Sequence, residues 1–189
     1  MASTILNHKL DMSMNYLSPD LQRLDLELFM QAALAEAEIA GQAGELPIGA
    51  VVVIDGEIIS RGRASHLRSR SQLRHAELNA MLDGGERLWL DFRRAILFTT
   101  VEPCPLCLGA AVMADIPHIV FALHDQVVKS DLTLAVNPYV KRHIKSYLGG
   151  VLADESKAIF MKYDPGALQY ILTGKARSFS LDGSPQLPG

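Results

Sequence analysis

The sequence predicts an α/β domain, a three-layer α/β/α sandwich built on a five-stranded mixed sheet. Three observations predict it. A stretch of helically spaced apolar residues precedes an apolar run that turns back through Asp55-Gly56, which reads as a helix followed by a β-hairpin. Three further short apolar runs then alternate with helical segments, the pattern that makes later strands parallel. Finally, 189 residues with 49% apolar content suit one domain with a sizeable core.

Residues 1–17 have no clean periodicity and read as an N-terminal arm. Ser18-Pro19-Asp20 offers an N-cap, a proline at the first helical position and an early acid. The helix is expected to run to about Gly41, with Leu21, Leu24, Leu28, Ala32, Ala35 and Ile39 as its apolar stripe. Strands follow at Ile48–Ile54 and Glu57–Arg61. An arginine-rich loop leads into a helix from His75 to Leu82, ended by Gly84-Gly85, with Trp89 and Phe92 placed over the core beneath. Ala95–Val101 is a buried-type strand, Cys104–Ala114 is helical, and Pro117–Leu123 is a fourth strand. Residues 124–143 are mixed in pattern, Ile144–Leu148 is a short last strand, and Asp154–Tyr163 is helical, with a further turn or two after Pro165. The expected domain is 18–177, and residues 178–189, rich in Ser, Gly and Pro, read as a flexible tail.

Composition narrows the classes of function. The longest uncharged run, Pro103–Ala114, has 12 residues, against the roughly 18–20 of a membrane helix, so no membrane association is expected. The first residues lack a signal peptide's apolar region, which predicts a cytoplasmic protein. In that compartment two cysteines suggest metal binding or thiol chemistry rather than a disulfide. The net charge of −3 conceals an asymmetry, because Arg61, Arg63, Arg68, Arg70 and Arg74 cluster just before His75. Such a cluster is either a solvated loop or a patch facing phosphate or nucleic acid.

Two motifs carry chemistry: His75-Ala76-Glu77 and Pro103-Cys104-Pro105-Leu106-Cys107. Alone, the first is a common capping pair, and the second reads equally as a redox dithiol or half of a structural zinc site. Together they gain meaning. Both open predicted helices, where unpaired N–H groups favour thiolate, and two thiolates with an imidazole suit zinc and neutralise its charge. His75, Cys104 and Cys107 are three ligands rather than four, which leaves a position for water. Glu77, two residues after His75, can lie beside that water without binding the metal and take its proton.

The His-Ala-Glu and Glu-Pro-Cys-x-x-Cys pair resembles the signature of the zinc-dependent nucleobase and nucleoside deaminases, in particular the branch of tRNA wobble-adenosine, guanine and fungal-type cytosine deaminases. The resemblance spans about Leu26 to Tyr163 and implies the cytidine deaminase-like fold. It implies zinc as cofactor, held by His75, Cys104 and Cys107, with Glu77 shuttling protons as the exocyclic amine is replaced by a carbonyl and leaves as ammonia. It further implies substrate contacts at the Ala76 backbone, Ile48, the position of Ala64 and Asp125, and a homodimer. Two departures lie beside the pocket. Ala64 stands where relatives usually carry an Asn, and Ser71-Gln72-Leu73-Arg74 replaces Asp-Pro-Thr-Ala. Ala64 cannot hydrogen-bond a base, so the leading expectation is a small aminated N-heterocycle, free base or nucleoside. The alternative is adenosine in a tRNA anticodon loop, favoured by the arginines. An inactive deaminase-like binding module is a third reading, opposed by the presence of Glu77.

Overall fold

Residues whose side chains alternate in burial partners build the central sheet. In β1 (Gly49–Ile54), Ala50, Val52 and Ile54 enter one apolar cluster, while Val51 and Val53 enter another on the opposite face. β3 (Ile96–Val101) and β4 (His118–Leu123) divide in the same way, with Leu97, Ile119 and Phe121 on one side and Ile96, Phe98, Val120 and Ala122 on the other. Strands buried on both faces need helices on both faces. The structure, a computed structural model, describes residues 21–175 and supplies them. The expected arm, the expected tail and the expected domain limits at 18 and 177 lie outside the described residues.

With β2 (Glu57–Arg63) and β5 (Ser146–Leu148), the strands form a five-stranded sheet in the order β2-β1-β3-β4-β5. β1 is antiparallel to both β2 and β3, whereas β3, β4 and β5 run parallel. One face carries α1 (Leu26–Gln42) and α8 (Ala153–Tyr163), with α9 (Pro165–Thr173) packed beside α8. The other carries α3 (Ala76–Asp83), α4 (Gly85–Asp91), α5 (Pro105–Met113), α6 (Ser130–Val136) and α7 (Pro138–His143). The mixed three-layer sandwich is as expected.

Several details differ from expectation. Leu21–Leu24 form a turn, and α1 starts at Leu26 with Asp25 as N-cap, its carboxylate accepting from the Leu28 N–H at 3.1 Å. The expected cap, Ser18, lies outside the described residues. The stripe of α1 that faces the sheet is Phe29, Met30, Ala33, Leu34, Ala37 and Ala40, while Leu28 and Ile39 of the expected stripe are exposed. Small side chains face the sheet because α1 lies almost on top of β1: a Cβ at Gly49 would collide with the backbone of Ala33 and Ala37. A short helix, α2 (His66–Ser69), interrupts the arginine-rich loop. Gly84 does end α3, as expected, but α4 follows directly, and Trp89 on it is 77% exposed rather than packed on the core. Phe92 does pack against the core, as expected. Residues 124–143 contain α6 and α7, the latter capped by Asn137 and opened by Pro138.

α3 approaches β2 as closely as α1 approaches β1. A Cβ at Gly62 would overlap the Ala76 carbonyl oxygen and the Ala80 nitrogen, and the Ser60 hydroxyl on the same strand donates to the Ala80 carbonyl at 2.7 Å. Gly62→Val is therefore expected to push α3 off the sheet, at about 1–3 kcal/mol or more. A urea midpoint unchanged from the parent protein would refute this.

Candidate active site

The antiparallel β1 brings distant parts of the sequence to one end of the sheet. Gly49 at the start of β1 pairs with Arg63 at the end of β2, and Ala50 pairs with Thr99 near the end of β3. Val101 pairs with Leu123 at the end of β4. Ile48, Ala64, Cys104 and Asp125 all lie just beyond these strand ends, where ligands of open α/β sheets are commonly found. Ile48 and Ala64 are joined directly, the Ala64 N–H donating to the Ile48 carbonyl at 3.0 Å. Ala64 is buried and apolar, so its side chain presents no hydrogen-bonding group.

Two helix N-termini meet at this end. His75 is the N-cap of α3 and Cys104 the N-cap of α5, with Pro105 at its first position and Cys107 in its first turn. Their ligand atoms cluster: His75 Nδ1 lies 3.6 Å from Cys104 Sγ and 3.5 Å from Cys107 Sγ, and all three atoms are within 4.8 Å of one another. Tetrahedral bonds of about 2.3 Å to sulfur and 2.0–2.1 Å to nitrogen place N and S about 3.6 Å apart, so the spacing fits zinc. The two thiols and the imidazole share protons. The Cys104 thiol is lowered to about 4, chiefly by the Cys107 thiol donating to it, and His75 is raised by its contact with Cys104. Cys107, buried and holding the shared proton, is raised.

Glu77 stands in the first turn of α3, 4% exposed, and burial lifts its carboxyl above the usual range, with the Cys104 charge adding to the effect. Ala76 is the first residue of α3, so its N–H has no acceptor within the helix, and it is buried beside these groups. Asp125 sits at the same sheet end. Its Oδ1 accepts from the Val127 and Val128 N–H groups at 2.7 and 3.2 Å, which closes the turn after β4.

Two residues beyond those expected belong to the site's surroundings. Glu102, 5% exposed, gathers the loops around Cys104: it accepts from Tyr147 Oη at 2.9 Å and from the Asp125 and Asp131 N–H groups at 3.1 and 3.3 Å, with His124 Nδ1 at 3.8 Å. Burial opposes its charge, but these donors outweigh burial and hold the carboxyl below its usual range. The Glu-Pro-Cys string was its only sequence signal. The other is His66 of α2, whose ring stands edge-on to His75 with centroids 5.0 Å apart and whose buried Nδ1 has no hydrogen-bond partner among the described residues. A lone histidine in an arginine-rich loop carries no motif that could have singled it out.

This arrangement of paired helix starts, His-Ala-Glu and Pro-Cys-x-x-Cys has known counterparts. The family model for the cytidine and deoxycytidylate deaminase zinc-binding region matches residues 24–123, just over half of the chain. The chain belongs to this deaminase family. Zinc is accordingly its cofactor, in agreement with the donor set. The chain is 44% identical over 102 residues to a tRNA-specific adenosine deaminase of Streptococcus pyogenes serotype M18 (strain MGAS8232), covering 52% of this chain and 62% of that protein. It thus spans about three fifths of the length of the curated relatives it matches. A structure solved in a study of A-to-I editing by tRNA:A34 deaminases at the wobble position superposes with a TM-score of 0.62 at 32% identity, over 70% of this chain and 98% of that one. A guanine deaminase from Bacillus subtilis superposes with a TM-score of 0.50 at 32% identity, over 60% and 71% of the two chains. The deaminase family and fold expected from the motifs are thus established.

Proposed function

We propose that the chain is a zinc-dependent hydrolytic deaminase that converts adenosine to inosine in tRNA. The observation that carries the substrate is the 44% identity to a tRNA-specific adenosine deaminase over 102 residues. The leading expectation from sequence, a free aminated heterocycle, becomes the second reading. It keeps the support of Ala64 and of the guanine deaminase likeness.

His75, Cys104 and Cys107 would hold the zinc. When bound, zinc makes a water acidic enough to lose a proton near neutral pH. Glu77 is the acceptor for that proton, because its burial holds the carboxyl poised above the ordinary range. The same carboxyl then gives that proton to the ring nitrogen beside the reacting carbon, takes the second proton of the added water as the carbonyl forms, and passes it to the departing amine. Water and the amino heterocycle become the carbonyl product and ammonia. The N–H of Ala76 is placed to orient a ring acceptor, Ile48 and Ala64 to form the pocket wall, and Asp125 to border it.

A homodimer is the assembly we infer. Leu82, Trp89, Leu90 and Met113, on α3, α4 and α5, are each at least two thirds exposed and give a second copy an apolar face to cover. No helix among the described residues is long and apolar enough to cross a membrane. We place the reaction in the cytoplasm with its tRNA.

The test is ammonia release and inosine formation by the zinc-loaded protein on tRNA and on a panel of amino-purines, amino-pyrimidines and their nucleosides. Inosine in tRNA, with kcat/KM falling steeply as salt is added, is the expected result. Ammonia from a free base at a salt-independent rate, with tRNA untouched, would replace it by the second reading.

A further inference from the structure

The arginines that precede His75 do not form a featureless solvated loop. Four of them line a groove of about 730 Å³ on the outer edge of the sheet, where β2 runs open between α1 and α3. That volume lies within the roughly 300–1,000 Å³ of ordinary ligand sites.

Three of the four side chains meet a partner in the groove wall, and the fourth, Arg68, is placed through its backbone. Glu36 of α1, 6% exposed, lies under the strand, with Arg63 Nε at 3.4 Å and Arg61 at 3.9 Å from its carboxylate. A buried carboxylate is costly, and here it fixes two guanidinium groups that are themselves about half exposed. Arg61 and Arg63 are two residues apart on one strand, so both extend from the same face, about 6.6 Å apart along it. Glu45, also buried, accepts from the N–H groups of Leu67 and Arg68 at 2.9 and 2.7 Å and so anchors α2, which carries Arg68. Asn79 of α3 accepts from Arg74 at 3.3 Å and donates to the Arg63 carbonyl at 2.8 Å and the Ser65 hydroxyl at 3.2 Å. Both glutamates in the lining are thus turned to internal partners, which leaves Asp83 as its remaining acid.

We propose that this groove binds the phosphodiester backbone of RNA, outside the nucleotide that reacts. A row of guanidinium groups suits successive phosphates better than a single anion, because each can make a forked, charge-assisted pair. The groove shares Ala64 with the residues expected at the pocket and includes Arg74, next in sequence to His75. Ala64 and Ser65 both line it, and Ala64 is bonded to Ile48. The inference deepens the tRNA reading and rests on it for the source of the phosphates.

The experiment measures fluorescence anisotropy of a labelled anticodon stem-loop RNA, across a salt series, with the zinc-loaded parent protein and the variant Arg61→Gln/Arg68→Gln. Inosine formation in the same RNA is followed in parallel. Arg61→Lys/Arg68→Lys and the melting temperature of each variant control for folding. The Gln pair is expected to bind RNA several-fold more weakly and to reduce the slope of log affinity against log salt by about 1.4–1.8, two phosphate contacts' worth. The Lys pair should keep most of the slope. If the Gln pair keeps its fold, its affinity and its slope while the parent makes inosine, the groove inference is overturned and the tRNA reading stands. If the parent makes no inosine but binds RNA through these arginines, the groove stands and the reaction assigned to it falls. If the parent neither binds nor edits the RNA, both fail.

Discussion

Glu77→Gln is expected to lower deamination by about 10²–10⁴-fold while leaving one zinc per chain. The side chain is 4% exposed, and the amide occupies nearly the same volume as the carboxyl, so packing around α3 is preserved. Only the ability to take and return a proton is lost. Burial already disfavours the charged form of Glu77, so the variant should melt no lower than the parent protein. Ammonia release, metal content and melting temperature measured on the same preparation separate these effects. Turnover equal to that of the parent would remove Glu77 from the mechanism.

Cys107→Ala is expected to strip the zinc and, with it, the activity. Cys107 is fully buried at the base of α5, where alanine fills much of the same space and adds no charge. The fold should form, but two ligands remain where three are needed. Changes to outer partners of metal ligands alone typically cost 10–100-fold in affinity or activity, so removing a ligand should cost more than about 100-fold. Elemental analysis after mild chelation should find zinc in the parent and almost none in the variant. Full zinc occupancy with full turnover in Cys107→Ala would show that the cluster of His75, Cys104 and Cys107 is not the metal site.

The chemistry was more legible than the surfaces. The five strands and the two helices that carry the motifs follow from local pattern, because strands buried on both faces read as unbroken apolar runs and the helices between them follow loops or turns with helical composition. The orientation of α1 did not follow. A stripe chosen by side-chain size selects Leu28 and Ile39, yet the face that packs is the one with alanines at 33, 37 and 40, since close approach to Gly49 rewards small side chains. Trp89 misleads for a related reason. Its size suggests burial, but α4 lies at the edge of the layer and leaves it exposed. In the candidate site, His75, Glu77, Cys104 and Cys107 are visible in sequence because they fall in two short motifs of fixed spacing. Glu102 and His66 act through partners 23 to 45 residues away or through a ring contact, and nothing local marks them. The arginines were visible as a cluster, but Glu36 and Glu45, which turn them into a groove, come from a different helix and a different turn.

The position of β1 between β2 and β3 has a consequence for how the protein holds its metal. His75 and Cys104 are 29 residues apart in sequence, one following β2 and the other β3, the two strands that β1 pairs with on its two sides. Closing a loop of that length costs roughly 3 kcal/mol of chain entropy before any contact rewards it. Zinc bound across this separation would offset that cost in the folded chain, so metal affinity and fold stability are linked, and loosening the pairing of β1 with either neighbour would weaken both.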